Sequence, residues 1–172
     1  TAGATECTPC PAGEFTAAEG QSSCTSASAG YAVEASGSEA QTACLPGTYS
    51  AGAGATTCAD CAPGAYQAAS GQSSCALASS GHYVGAGGAS EETECPAGTF
   101  SATGQSTCDA CEPGRLTTSA GQAACELASA GSFVGSAGAS AETACAAGNF
   151  SSAGATACTR CPPGEFTATK GQ

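Results

Sequence analysis

The cysteines of this chain stand on a regular lattice, which restricts its possible folds more than any other feature does. Fourteen cysteines occur in 172 residues, and all of them belong to the lattice. Four C-x2-C pairs recur at steps of 51, 50 and 50 residues, and two single cysteines stand at matching phase between successive pairs. The pairs are Cys7/Cys10, Cys58/Cys61, Cys108/Cys111 and Cys158/Cys161, and the single cysteines are Cys24, Cys44, Cys75, Cys95, Cys125 and Cys145. Self-similarity at a fixed period predicts a tandem-repeat protein.

The lattice divides the chain into repeat units with a shorter period inside them. We expect repeat unit 1 to span residues 1–57, unit 2 to span 58–107, unit 3 to span 108–157, and residues 158–172 to begin unit 4. A glycine recurs every 16 or 17 residues, and in every case except Gly30 a large apolar residue follows two positions later, as at Gly47/Tyr49. Each unit therefore holds three sub-repeats. Two of them open with a cysteine, and the third, as at Ala78, does not.

The rest of the composition leaves little material for a hydrophobic core. Phe, Tyr, Leu and Val together supply 16 of 172 residues, and Ile, Met and Trp are absent. A chain this poor in large apolar residues cannot bury enough surface to fold on its own. We therefore expect disulfides to hold the fold, which places the protein in a secreted, extracellular or cell-surface setting.

Turn signals and short apolar segments predict the local structure. Pro-Gly after cysteine favours a tight turn, and segments of three to five residues such as 48–50 suit short β-hairpins. No segment shows the 3.6-residue periodicity of an amphipathic helix. The predicted fold class is small and disulfide-rich, built of short β-hairpins and turns with little or no helix, and extended as an elongated tandem-repeat rod.

Two disulfide schemes are compatible with the spacing, which does not decide between them. The simpler one closes each cysteine-initiated sub-repeat on itself, as Cys10–Cys24, Cys44–Cys58, Cys61–Cys75, Cys95–Cys108, Cys111–Cys125 and Cys145–Cys158. Its rival crosses the C-x2-C pairs, for example Cys58 to Cys75 and Cys61 to Cys95. Each local loop is worth on the order of 3 kcal/mol.

The local scheme leaves Cys7 and Cys161 without partners in this sequence. Residues 164–172 match residues 13–21, which run on to Cys24. We therefore expect the chain to continue past Gln172 with two small residues and a cysteine, and both unpaired cysteines to bond outside this sequence.

The residue inventory argues against several classes of function. His82 is the only histidine, so a Cys–His catalytic pair cannot recur in each unit, and we predict no enzyme activity. The C-x2-C pairs resemble zinc half-sites, but an extracellular chain favours disulfides. The acidic run 91–94 has only one acid in the equivalent stretch 141–144, which argues against a structural Ca²⁺ site. No cofactor or metal is expected.

The net charge and the glycosylation signals limit the kinds of partner that the chain can have. A net charge of -11 argues against binding to nucleic acid or anionic lipid, and no apolar run is long enough to span a membrane. Asn149-Phe150-Ser151 is the one N-glycosylation sequon, and the dense Ser and Thr permit O-glycans. The expected partners are further copies of the repeat in the same chain, glycans, and other copies of the chain in a filament.

The motif Cys-x-x-Gly-x-(Phe/Tyr)-x(7–9)-Cys resembles the cysteine-rich modules of tumour-necrosis-factor receptors and the ephrin-receptor-like repeats. The resemblance is clearest in residues 44–58 and 61–75 and recurs in 95–108 and 111–125. It implies that the first cysteine pair of each module closes locally and that small modules form a ladder outside the cell. The third sub-repeat departs from the pattern because it lacks the opening cysteine.

Two functions remain open from the sequence. The first is a non-enzymatic extracellular structural repeat protein that forms a rod, fibre, flagellar hair or stalk, because successive units are nearly uniform. The alternative is the ectodomain of a receptor or adhesin that binds a protein or glycan ligand. It predicts a patch that breaks the repeat, for which His82/Tyr83 and Arg115/Leu116 are the candidates. An ice-binding solenoid is disfavoured because no ladder of threonines runs along the chain.

Overall fold

The computed structural model describes residues 6–171, in which the backbone forms short β-hairpins and no helix. Within residues 6–171, eighteen strands of two residues each pair consecutively into nine two-stranded sheets. The strands are β1 Glu14–Phe15, β2 Thr25–Ser26, β3 Tyr31–Ala32, β4 Thr42–Ala43, β5 Thr48–Tyr49, β6 Ala59–Asp60, β7 Ala65–Tyr66, β8 Ala76–Leu77, β9 His82–Tyr83, β10 Thr93–Glu94, β11 Thr99–Phe100, β12 Asp109–Ala110, β13 Arg115–Leu116, β14 Glu126–Leu127, β15 Ser132–Phe133, β16 Thr143–Ala144, β17 Asn149–Phe150 and β18 Thr159–Arg160. The predicted disulfide-rich hairpin fold is confirmed for these residues.

The strands are shorter than the three to five residues expected. In the hairpin β5–β6, Thr48 lies opposite Asp60 and Tyr49 opposite Ala59. The next residue, Ser50, leaves the hairpin, because its N–H donates instead to the carbonyl of Gln72 in the following sub-repeat at 3.2 Å. Pairing within a hairpin therefore ends where pairing between sub-repeats begins.

A glycine turn opens each hairpin. Before β5, the N–H of Thr48 donates to the carbonyl of Leu45 at 3.0 Å, which closes a four-residue turn around Pro46-Gly47. Gly47 has a φ of 85°, as the third residue of a type II turn requires. A Cβ atom at Gly47 would also collide with the carbonyl oxygen of Gly88. This position therefore accepts only glycine.

Successive sub-repeats are joined by the same backbone hydrogen bonds. The N–H of Gly47 donates to the carbonyl of Gln67 at 2.7 Å, and the N–H of Cys61 donates to the carbonyl of Gly47 at 2.9 Å. A third bond runs from the N–H of Gly71 to the carbonyl of Cys44 at 2.8 Å. Equivalents of the first bond run from Gly13 to Val33, Gly30 to Ser50, Gly81 to Ser101, Gly98 to Thr117, Gly114 to Val134, Gly131 to Ser151 and Gly148 to Thr167. Each sub-repeat is thus held by its neighbours in sequence, as in other repeat proteins.

The sub-repeats come in two types that differ at the opening residue. Cys-type sub-repeats open with Cys10, Cys44, Cys61, Cys95, Cys111, Cys145 and Cys161, and Ala-type sub-repeats open with Ala27, Ala78 and Ala128. The residue six positions after the opening residue lies beside it, as shown by the 3.4 Å between Cys145 Sγ and Ser151 Oγ. In the Cys type this residue is Ser, Thr or Gln, whereas in every Ala-type sub-repeat it is a buried valine. Valine supplies apolar volume where the opening sulfur is missing.

The chain divides into two compact units. The first contains the residues through Ala76 together with Ala86–Glu91, and the second contains Leu77–Gly85 and the residues from Glu92 onward. In the second unit Leu116, Ala128 and Val134 form a buried apolar cluster. The divisions between the units all fall between Cys75 and Cys95, around the Ala-type sub-repeat 78–94. None of the described residues belongs to a helix that could cross a membrane.

Candidate functional site: the loop closures

Six disulfides close the six complete Cys-type sub-repeats. They are Cys10–Cys24, Cys44–Cys58, Cys61–Cys75, Cys95–Cys108, Cys111–Cys125 and Cys145–Cys158. These are the pairs of the local scheme. In the motifs Cys58/Cys61 and Cys108/Cys111, the first cysteine therefore bonds to an earlier cysteine and the second to a later one. The paired Cα atoms lie 5.6 to 5.8 Å apart, within the usual range for a disulfide. The opening sulfur is buried in every case, and the closing one is half-buried.

The Ala-type sub-repeats are closed by a hydrogen bond at the position of the missing disulfide. Fourteen residues after Ala128, where a Cys-type sub-repeat carries its closing cysteine, stands Glu142. Its Oε2 accepts a hydrogen bond from the N–H of Ser129 at 2.7 Å. The same bond joins Glu92 to the N–H of Ser79 and Gln41 to the N–H of Ser28, both at 2.6 Å. We call these three contacts the side-chain brackets.

The sequence carried a signal for the brackets that its cysteine pattern concealed. The opening residues Ala27, Ala78 and Ala128 are each followed after fourteen residues by Gln or Glu, side chains that share a terminal oxygen acceptor. Aligning the Ala-type sub-repeats on the Cys-type ones would have exposed this position. The missing cysteine alone suggests that the third sub-repeat is an open loop. In the structure, a hydrogen bond closes that loop instead of a disulfide.

Cys7 and Cys161 form no disulfide within residues 6–171. Cys7 is exposed and Cys161 is half-buried. Their bonding to cysteines outside this sequence stays a prediction. Both occupy lattice positions, since Cys7 is a closing cysteine and Cys161 an opening one.

The two pairs of residues proposed as ligand contacts differ in their burial and hydrogen bonding. Arg115 donates from Nη1 to the carbonyl of Cys125 at 3.1 Å, within its own hairpin, and Leu116 is 5% exposed in the apolar cluster. Leu116 is therefore structural, whereas the Arg115 side chain is exposed. His82 and Tyr83 are half-buried, and His82 Nδ1 is buried without a hydrogen-bond partner. That nitrogen is therefore not open to a ligand in the folded chain.

The candidate N-glycosylation site lies in the β17–β18 hairpin. Asn149 is half-buried, and its Nδ2 donates to the carbonyl of Ala146 at 3.3 Å. The hydroxyl of Ser151, the third residue of the sequon, is buried and donates to the carbonyl of Ser132 at 2.8 Å. In the folded chain the sequon is therefore occupied by contacts within its own hairpin and with the preceding one.

The acidic and sulfur groups do not converge on a metal-binding arrangement in the described part of the chain. No group of three or more His, Cys, Asp or Glu side chains is close enough there to hold an ion. In the run 91–94, Glu92 already accepts the bracket bond from Ser79.

Residues 47–95 match a family model described as tyrosine-protein kinase ephrin type A/B receptor-like. The matched stretch includes the Cys61–Cys75 loop and the Ala-type sub-repeat that follows it. A comparison with curated proteins finds no match. Cysteine-rich receptor-like repeats of this kind are typically non-enzymatic, and the match together with six disulfides indicates an extracellular or cell-surface protein. The predicted resemblance is confirmed: the chain is a disulfide-stapled array of cysteine-rich repeats, similar over residues 47–95 to the ephrin-receptor-like family.

Proposed function

We propose that this chain is a non-enzymatic extracellular structural protein whose repeats build a rod, fibre, flagellar hair or stalk. One observation carries the proposal: within each compact unit, successive sub-repeats exchange the same backbone hydrogen bonds, such as Gly47 to Gln67 and Gly114 to Val134. A chain that repeats one contact presents equivalent surfaces at a fixed interval. Equivalent surfaces at a fixed interval are what assembly into a helical filament requires.

The charge and the core support an extended rather than a compact chain. Fourteen Asp and Glu face only three Lys and Arg, so parts of the chain brought together would repel one another. Among the described residues, the largest side chains that are fully buried belong to cysteines and to Ser101, and all of them are small. A wide globule needs bulkier residues to fill its centre.

Small-angle X-ray scattering of the oxidised chain tests the extended form directly. A globular chain of this length has a radius of gyration of about 16 Å. The proposal requires a value at least roughly twice as large, with a cross-section that stays narrow along the particle. Electron micrographs of the concentrated protein should show filaments. A radius near that of the globule would contradict the proposal.

The alternative, a receptor or adhesin ectodomain, draws support from the ephrin-receptor-like match over residues 47–95. Its candidate contact patch is His82 and Tyr83, which lie inside the matched stretch. Binding to an array of glycans and cell-surface proteins would be measured for the chain and for His82→Ala/Tyr83→Ala. Binding that disappears in this variant and persists in Thr107→Ala, on an exposed turn elsewhere, would favour the ectodomain.

Glycans belong to the proposed extracellular setting. Because Ser151 is buried and bonded in the folded hairpin, an N-glycan on Asn149 must be attached before that hairpin forms. Mass spectrometry of non-reduced peptides from the native protein would report this glycan, any O-glycans, and the partners of Cys7 and Cys161. An unmodified Asn149 in native material would remove the N-glycan from the proposal.

A further inference from the structure

The disulfides leave covalently open stretches of very unequal length. Between the closing Cys58 and the next opening Cys61 the chain advances only three residues. Between Cys75 and Cys95 it advances twenty, and the same distance separates Cys24 from Cys44 and Cys125 from Cys145. Each twenty-residue stretch contains one Ala-type sub-repeat. The covalent staples are thus interrupted once in each repeat unit.

Within these stretches, a single side chain takes the place of the staple. The bracket from Glu142 to the N–H of Ser129 is one hydrogen bond at 2.7 Å. Such a bond contributes less to stability than a disulfide loop of this length, and it opens without breaking a covalent bond, which the disulfide cannot do. The closure of the Ala-type sub-repeat is therefore weaker than a disulfide, and it is not covalent.

We infer that the Ala-type sub-repeats are extensible segments, which unfold under tension while the disulfide-closed sub-repeats stay intact. The inference is independent of whether the chain forms filaments, because it concerns the covalent path along one molecule. A stapled array with one extensible segment per unit lengthens in limited steps and regains its form when the load is removed, as long as the staples hold.

The division of the chain into compact units agrees with this inference. Every boundary between the two units falls between Cys75 and Cys95, and no boundary falls inside a disulfide-closed loop. Of the three open stretches, the one between Cys75 and Cys95 is thus also where the contacts divide, whereas the other two each lie inside one unit.

The expected extension follows from the length of the chain. Twenty residues span at most about 70 Å when fully extended. Three such stretches therefore release up to about 200 Å before any disulfide breaks. After reduction, each opened loop adds roughly a further 40 Å.

Force spectroscopy on the oxidised 172-residue chain, held by handles at both ends, tests the inference. The decisive variant is Ala128→Cys/Glu142→Cys, which places cysteines three residues from Cys125 and from Cys145 and so reproduces the native C-x2-C spacing. With the new disulfide verified by mass spectrometry, the length released before reduction should fall by roughly 40 Å, about one fifth of the total. Glu142→Gln, which preserves the bracket as Gln41 does, should leave the length unchanged.

Two results of the force measurement would overturn the inference. One is an oxidised wild-type chain that releases far less than the three open stretches allow. The other is a variant with its new disulfide formed that releases as much length as the wild type. Hydrogen exchange on the unmodified chain gives a reading that does not depend on the variant's folding. The amides of Val134 and Gly138 should lose protection before those of Cys111 and Gly121, and the reverse order would also overturn it.

Discussion

At the scale of single residues, three positions decide what each sub-repeat is. The opening residue is Cys or Ala, its neighbour six positions later is polar or valine, and the closing residue is Cys or a side chain with a terminal oxygen. In sub-repeat 128–144 the three choices are Ala128, Val134 and Glu142. They change together because the missing opening sulfur removes both a covalent bond and buried volume.

Replacing Glu142 with Ala should open the bracket, whereas Glu142→Gln should keep it. An amide oxygen accepts the bond from the backbone as a carboxylate does, and Gln41 already fills the equivalent place. Loss of one such bond, about 1 kcal/mol, should speed hydrogen exchange at the Ser129 amide roughly fivefold in Glu142→Ala. Equal exchange rates in both variants would show that the bracket contributes nothing to stability.

Gly47→Ala should destabilise the chain strongly, because the position combines a φ of 85° with a collision against the carbonyl of Gly88. We expect a loss of about 2 kcal/mol or more in the free energy of unfolding. Gly52→Ala is the matched control, since a Cβ there meets nothing within 4 Å. Thermal unfolding followed by circular dichroism should show a lower midpoint for Gly47→Ala alone.

At the scale of the sub-repeat, the Cys and Ala types are two solutions to the same problem. Each has to close a fourteen-residue loop and fill the space behind its opening residue. The Cys type does both with one buried disulfide, as in Cys111–Cys125. The Ala type separates the tasks, since Val134 fills the space and Glu142 closes the loop.

If the two types are equivalent, a Cys-type sub-repeat should be convertible into an Ala type. Cys111→Ala/Cys125→Ala should cost about 3 kcal/mol, the value of the lost loop closure. The triple variant Cys111→Ala/Thr117→Val/Cys125→Glu should recover part of that loss, because it restores both the apolar volume and the bracket. Thermal melts of the two variants decide the matter, and a triple variant no more stable than the double one would contradict the equivalence.

The sequence could predict the parts of this fold that depend on spacing. Lattice spacing and Pro-Gly signals predicted hairpins and disulfide bonding, because both depend on residues near in sequence, but they left the local and the crossed pairing open. Aligning the sub-repeats marks the bracket position at Glu92 but not its partner, since the bond depends on which backbone N–H the turn presents. Nor could it place Leu116, whose burial results from packing against Ala128 and Val134 of the next sub-repeat.

At the scale of the whole molecule, the disulfides contribute more to stability than the buried side chains do. Most natural domains are stable by roughly 5–15 kcal/mol. Losing six disulfide loops at about 3 kcal/mol each would cancel a stability in that range. The interior offers little in addition, since it is made chiefly of Ala, Val and Cys. Stability in this chain is therefore distributed along its length, one closure at a time, rather than concentrated in a centre.

Complete reduction of the disulfides should consequently unfold the chain at ambient temperature. The six closures together match or exceed the stability of a typical domain, so the brackets and valines of the three Ala-type sub-repeats cannot hold the fold alone. Hydrogen exchange in the presence of excess phosphine reductant provides the measurement. The amides of Gly47 and Gly114, which bond to the following sub-repeat, should exchange at the rate of an unfolded chain, whereas the oxidised protein keeps them protected. Protection that survives reduction would mean that backbone bonds between neighbours, not sulfur, hold the array together.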